Sequence, residues 1–189
     1  MTDALTASLA AALQSARAGR DLSVSALAER SGVSRAMIAK IERGDVQPTA
    51  ALLGRLTGAL GMTLSELIAQ AEERGAPGRI ARRSDQSVWQ DPETGYRRRA
   101  VSPGAGGPIE LVEVELPPRV RIAYPADSYS FTHHQLWVLE GSLRFDEGDT
   151  THRLGAGDCL QLGAPVPCAY ENETDEPCRY LVALARRAV

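Results

Sequence analysis

The sequence predicts an α + β chain of two domains: a five-helix bundle over residues 1–70 and an antiparallel β sandwich or barrel over residues 87–189, joined by a linker at 71–86. Three observations carry this. Apolar residues recur at helical spacing through the first 70 residues, which are rich in Ala, Leu and Ser and hold a single Pro. From residue 86 onward, short runs of alternating polarity recur between turn residues, and this half holds all the Tyr and Trp. Charge divides the same way, with 7 basic and 6 acidic side chains in residues 1–70, 4 and 3 in 71–85, and 10 and 15 in 86–189.

The first helix is expected over residues 3–18, with Leu5, Leu9, Leu13 and Ala16 or Arg17 along one face and Gly19 at its end. Ser23 can cap a second helix whose Leu27 and Ala28 face inward. Gly32 supplies the left-handed residue that ends it, and Val33 tucks into the corner. Ser34 caps a third helix with Met37, Ile38 and Ile41 on one face, leaving Arg35, Ala36, Ala39, Lys40 and Arg43 on the other. Residues 45–48 read as a loop. Thr49 caps a fourth helix through residue 60 with Leu52, Leu53, Leu56 and Leu60 inward, and Gly61 closes it. A last short helix from Thr63 covers the bundle with Leu64, Leu67 and Ile68.

The outer face of the third helix is short, basic and small, which suits a major groove. Arg35 and Lys40 are the expected base or phosphate contacts, Ser34 and Ala36 lie against the groove, and Arg43 falls nearer the DNA backbone. The run GVSRAMIAKIERG, followed by Pro48 and Thr49, resembles the Xre/Cro class of helix-turn-helix domains over residues 5–68. It keeps that class's spacing at Ser34, Ile38, Ile41, Glu42 and Gly44. The resemblance implies a lambda-repressor-like DNA-binding domain acting on double-stranded operator DNA as a transcriptional regulator. Val24 stands where the class often carries a phosphate-bracing Gln, so that contact is not carried over. One reading helix covers few base pairs, so a homodimer is expected, with half-sites ~34 Å apart.

The linker sequence EERGAPGRIARRSDQ mixes Gly, Pro and charge; its Arg79, Arg82 and Arg83 could touch phosphate, though a solvated tether is the simpler reading. Beyond it, strands are expected at 96–101, 109–116, 120–123, 135–145, 151–154, 159–162, 168–171 and 179–185, with hairpin turns at 146–149 and 155–158. Arg97, Arg98 and Arg99 form a charge run on a solvated edge strand. Alternate members must face opposite sides, so only part of the run can meet one anion.

The runs LWVLEGSLRF and HRLGAGDCLQLGAPVPCAYEN resemble the cupin family, a double-stranded β-helix or jelly roll, over residues 104–186. The order of a helix-turn-helix followed by a cupin resembles a group of bacterial regulators whose cupin senses an effector and dimerises the protein. The family's metal motif is not kept: Asp127, Tyr129, His134 and Cys168 stand where two His, a Glu and a later His are usual. If a divalent metal is held, His134, Cys168 and Asp127 are its candidate ligands. The simpler reading is a polar-lined apolar pocket with no cofactor.

A small-molecule effector is expected inside the barrel around Tyr129, His134, Cys168 and Tyr170, with Trp137 or its neighbours Leu136 and Val138 completing the wall. Such a pocket would reach the helical half only through the linker. His133 faces away from His134, His152 is a satisfied or surface residue, and Cys159 and Cys178 are half-buried thiols. The rival reading is a mononuclear-iron oxidative enzyme carrying an Xre-like domain, and a third is a purely structural, dimerising cupin. No catalytic residues are identified.

The net charge of −3 weighs against indiscriminate coating of nucleic acid. Three separated cysteines without a CxxC pair point to reducing cytosol. No apolar run approaches the ~18–20 residues that span a bilayer, so a cytoplasmic protein without a membrane partner is expected.

Overall fold

The computed structural model describes residues 2–71, 79–104 and 107–187, with side chains from residue 6 onward. The expected inward face of Leu5 and the linker segment 72–78 therefore lie outside the described side chains and residues. Five helices come first: α1 Thr2–Ala18, α2 Val24–Ser31, α3 Arg35–Glu42, α4 Ala50–Ala59 and α5 Leu64–Ala71.

Their limits follow local chemistry. The Ser23, Ser34 and Thr49 side chains accept from the backbone N–H groups of Ala26, Met37 and Leu52 at 3.1, 3.2 and 3.4 Å. Gly32 ends α2 at φ 66°, a left-handed position that favours glycine. Leu9, Leu13, Leu27, Ile38, Ile41, Leu53, Leu56 and Leu67 are all buried in one core. Leu52 is only partly buried.

On α1 both alternatives for the inner face are used, in different ways. Ala16 is buried, while Arg17 grips Glu42 of α3 through two hydrogen bonds of 2.7 and 2.9 Å and donates to the Leu22 carbonyl at 2.7 Å. This ion pair ties α1 to the end of α3.

The second half is a two-sheet antiparallel jelly roll. Its strands are β1 Val88–Gln90, β2 Arg97–Ala100, β3 Ile109–Leu116, β4 Arg121–Tyr124, β5 Thr132–Glu140, β6 Ser142–Glu147, β7 Thr150–Gly155, β8 Cys159–Gln161, β9 Cys168–Glu171 and β10 Cys178–Arg186. One sheet has the order β1-β2-β3-β10-β5-β8 and the other β4-β9-β6-β7.

Several expectations are corrected here. The run 135–145 is two strands in different sheets, parted at Gly141, whose φ of 78° makes the bend and whose added Cβ would sit 2.8 Å from the Pro177 carbonyl oxygen. Residues 155–158 are not a hairpin turn: they carry the chain from β7 in one sheet to β8 in the other. The arginine run is not on an edge strand, because the short β1 pairs outside it. Trp137 points outward, 48% exposed, whereas Leu136 and Val138 are fully buried. Cys159 is exposed and Cys178 buried, so neither is half-buried. His152 contacts Glu147 at 3.2 Å, consistent with a satisfied residue.

The two halves also meet directly, beyond the linker. Helix α4 lies on β4 and on the 3-10 turn Ala126–Tyr129. Gly54 and Gly58 make this contact possible: a Cβ on Gly54 would lie 2.5 Å from the Tyr124 ring, and one on Gly58 would lie 2.7 Å from the Ser128 Cα. Polar contacts line the same seam. Ser128 Oγ donates to the Gly54 carbonyl at 3.0 Å, the buried Asp91 carboxylate accepts from the Ala50 N–H at the start of α4 at 2.5 Å, and Thr63 donates to Glu110 at 3.0 Å. Arg186 of β10 pairs with Glu66 of α5.

Candidate functional site

Helix α3 has two unlike faces. Ile38 and Ile41 are buried and Glu42 is held by Arg17, while Ser34, Arg35, Ala36, Lys40 and Arg43 are all exposed. The five expected contact residues therefore share one uncovered surface at and beside the helix. Its N-terminal turn presents Arg35 and Ala36, next to the Ser34 cap. Arg43 is tethered to Asp45, with Nε and Nη2 donating to one carboxylate oxygen at 2.9 and 2.7 Å. That exposed pair partly offsets its charge at the edge of the face.

The four expected pocket residues lie around one cavity of about 60 Å³, room for about two water molecules. Tyr129, on the 3-10 turn, hydrogen-bonds with both backbone groups of Val166, accepting from its N–H at 3.1 Å and donating to its carbonyl. His134, on β5, stands with its ring centroid 5.3 Å from that of Tyr129. Its Nε2 is 2.7 Å from the Thr132 hydroxyl, while Nδ1 is buried without a partner. Cys168 and Tyr170 enter from β9, and Tyr170 stacks on Tyr180 with centroids 5.7 Å apart.

Sequence reasoning missed much of this wall, including Tyr96, Tyr124, Tyr180, Val182 and Leu184, and two contributors matter most. One is Arg98 of β2. The other is the helical half itself, which roofs the cavity with Gly54, Thr57, Thr63 and Leu64. Two glycines four apart inside a helix, in the run GRLTG, were the available signal of a close packing face.

Electrostatics fixes the protonation of the lining. Burial, then the nearby charges of Arg98 and Arg187 and the neighbouring His133, holds His134 down to about 3, so its imidazole is neutral near pH 7. Burial pushes the Cys168 thiol up to about 11, which keeps it protonated, and raises Tyr129 above the usual phenol range.

These residues do not fit the metal that many cupins hold. Asp127 is exposed on the 3-10 turn, away from the cavity wall that His134 and Cys168 line. Among the described residues no three His, Cys, Asp or Glu side chains converge on one point. The candidate ligand set His134, Cys168 and Asp127 is thus not brought together.

The comparisons with known proteins agree with this architecture. A helix-turn-helix family model matches residues 13–67, and a cupin domain model matches residues 113–184. No curated protein matches the chain. Among solved structures, an HTH_3 family transcriptional regulator from Vibrio cholerae is 24% identical over 98% of this chain and 99% of its own, with a TM-score of 0.80. The cupin domain of an XRE family transcriptional regulator from Enterobacter cloacae is 13% identical over 43% of this chain and 84% of its own, with a TM-score of 0.40. Hydroxypropylphosphonic acid epoxidase from S. wedmorenis is 18% identical over 95% and 97%, with a TM-score of 0.46. The first shares the fold end to end, and the other two are too distant to carry an argument. With five helices followed by a two-sheet jelly roll, and both family models matched in that order, the chain carries a helix-turn-helix domain over residues 13–67 and a cupin domain over residues 113–184.

Proposed function

We propose that this protein is a sequence-specific transcriptional regulator of the cytoplasm, which binds double-stranded operator DNA as a homodimer and senses a small molecule in its cupin. The observation that carries the reading is the uncovered basic face of α3, set on a helix whose other face is locked into the core. Arg35 and Lys40 read bases or hold phosphates, Ser34 and Ala36 allow close approach, and Arg43 approaches the DNA backbone once released from Asp45. The functional units are residues 1–70 for DNA, 71–86 as the connecting segment and 87–189 for sensing and pairing. Trp137, exposed on the outer side of β5, is the anchor of the paired surface.

The cavity is the effector site, with Tyr129, His134, Cys168 and Tyr170 in its wall. Because α4 roofs that cavity, an effector acts by favouring one placement of α4 against the cupin, and so one spacing of the two reading helices in the dimer. No residues are assigned to catalysis. Among the described residues, no group of three metal-ligating side chains supports the oxidative-metalloenzyme reading.

The test is selection of bound duplexes from fragmented genomic DNA, followed by gel shift with the parent protein and with Arg35→Ala and Lys40→Ala. The reading expects an enriched, two-fold symmetric sequence and a loss of ~1–3 kcal/mol of binding for a residue that contacts bases. If no sequence is enriched, or both variants bind as the parent does, this face is not the reader.

A further inference from the structure

The arginine run on β2 is used in two ways. Arg97 and Arg99 reach Glu115 and Glu113 on β3 at 3.6 and 3.3 Å. Arg98 alternates to the other side and lines the cavity. It donates through Nη1 to the Tyr96 hydroxyl at 3.2 Å, while its Nε–H is buried without a partner. Among the described residues no carboxylate lies within ion-pair distance of Arg98. Arg99 and Arg179 also have a buried, unpartnered Nε, but each meets a carboxylate through another nitrogen. Glu110, the nearby buried acid, accepts from the Thr63 hydroxyl, and its charge acts on Arg98 only from beyond ion-pair distance.

Two further buried polar atoms without partners belong to the same wall. They are the Tyr124 hydroxyl, which faces that of Tyr96 outside good hydrogen-bonding geometry, and His134 Nδ1. The Thr132 hydroxyl has one proton for two acceptors, the Tyr129 carbonyl at 3.4 Å and His134 Nε2 at 2.7 Å; where it goes to the closer Nε2, His134 Nδ1–H is a donor as well. Arg98, which has no ion-pair partner, the Tyr124 hydroxyl and His134 Nδ1 thus border one small space.

A charge on a largely enclosed wall without an ion-pair contact is costlier than an unpaired neutral group, so a ligand carrying negative charge gains most here. A single charge matches best. The other polar lining is phenolic, thiol or hydroxyl and uncharged, His134 is neutral, and a dianion would leave one charge uncompensated. Leu64, Val182 and Leu184 on the same wall offer apolar surface to a short chain.

We infer that the cavity takes a small monocarboxylic acid as its carboxylate, with Arg98 neutralising the charge, the Tyr124 hydroxyl donating to an oxygen, and a short alkyl tail against Leu64, Val182 and Leu184. This rests on the reading of the cavity as the effector site. At about 60 Å³ the space admits only a few heavy atoms, so a longer acid must push α4 away from Tyr124.

The experiment is calorimetric titration of the full-length protein, without DNA, with acetate, propionate and butyrate. Propionamide serves as the neutral isostere, and phosphate and sulfate as inorganic oxyanions. The expected result is saturable binding of at least one of the carboxylates, with the amide and the inorganic anions about tenfold weaker or worse. Arg98→Gln should weaken that binding by about tenfold or more and Arg98→Lys by less, with an unchanged far-UV circular dichroism spectrum. Tyr124→Phe removes only a hydroxyl, and decides the matter if Arg98→Gln does not fold.

Equal binding of acid and amide overturns the inference while leaving a neutral effector possible for the site. Equal or tighter binding of phosphate or sulfate also overturns it, as does unchanged carboxylate affinity in the folded variants. If no carboxylate binds, the inference falls. Whether small molecules from a cell extract still shift operator affinity then decides whether the effector reading falls with it.

Discussion

Helices α3 and α4 start alike, each behind a hydroxyl cap and each sending isoleucines or leucines into the same core, yet their second faces differ completely. The second face of α3 is basic and uncovered. That of α4 is made of glycine and threonine and is packed against the cupin. The contrast assigns the helices different tasks: α3 is a surface held ready for an outside partner, and α4 is an internal joint between that surface and a cavity. A helix that reads DNA must be rigid from behind and free in front, whereas a helix that transmits must be gripped on both sides.

The largest expected effect comes from the back of α3. Glu42→Ala leaves Arg17, partly buried between helices, without its carboxylate and should cost about 3 kcal/mol of stability in urea denaturation, the low end for a fully buried pair. A loss below ~1 kcal/mol would show that the pair is solvated and that α3 is not anchored by it.

Next comes the joint. Gly58→Ala adds a methyl group 2.7 Å from the Ser128 backbone, and Gly54→Ala adds one 2.5 Å from the Tyr124 ring. In an exposed helix such changes stabilise by ~1 kcal/mol. Here overpacking should reverse the sign, to a destabilisation of ~1–3 kcal/mol or an opening of the seam seen as faster amide exchange in α4. Stabilisation by either substitution would mean that the halves do not dock as described.

The front of α3 should behave in the opposite way. Arg35→Ala and Lys40→Ala should leave the thermal midpoint within the range of ordinary surface changes, about ±0.5 kcal/mol, while weakening DNA binding. Salt titration separates them further, because a lost phosphate contact lowers the salt slope and a lost base contact relaxes specificity.

The smallest effect is protonic. Folded His134 binds its proton only near pH 3, against an ordinary value of 6.5, so between those values the unfolded chain binds more protons than the folded one. Its contribution to stability is complete above about pH 6.5 and is lost as pH falls through that window. His134→Gln should therefore lose ~1–2 kcal/mol less than the parent between about pH 6.5 and 5. Identical pH profiles would show that the imidazole is solvated.

The helical half was legible because each local signal had one meaning. Ser34 as a cap, Gly32 as a left-handed terminus and the spacing of Met37, Ile38 and Ile41 gave both the helix and its outward face before any contact was known. The cupin half was legible in outline and less so in its wall. Tyr129, His134, Cys168 and Tyr170 were named through resemblance to the cupin pattern, whereas the orientation of Trp137 depended on which side of β5 met the other sheet. Arg98 was hidden for the same reason. Alternation shows that Arg97 and Arg99 oppose it, but only Glu113 and Glu115 on the neighbouring β3 show which side is outside. The three-residue β1, VWQ, was too short to read, and with it went the true sheet edge. Asp127 failed as a ligand because it lies on a 3-10 turn with its side chain exposed, a turn that the gap between the expected strands 120–123 and 135–145 did not reveal.

The central claim is that the cavity and the reading helix communicate through the α4 seam. Its most direct test is operator affinity, measured with and without the small-molecule fraction of a cell extract, in the parent and in Gly58→Ala. The account predicts that the extract shifts the parent's affinity by about 5- to 150-fold, the usual range of allosteric coupling, and shifts the seam variant's by clearly less. An equal shift in both proteins, or none in the parent, would contradict it.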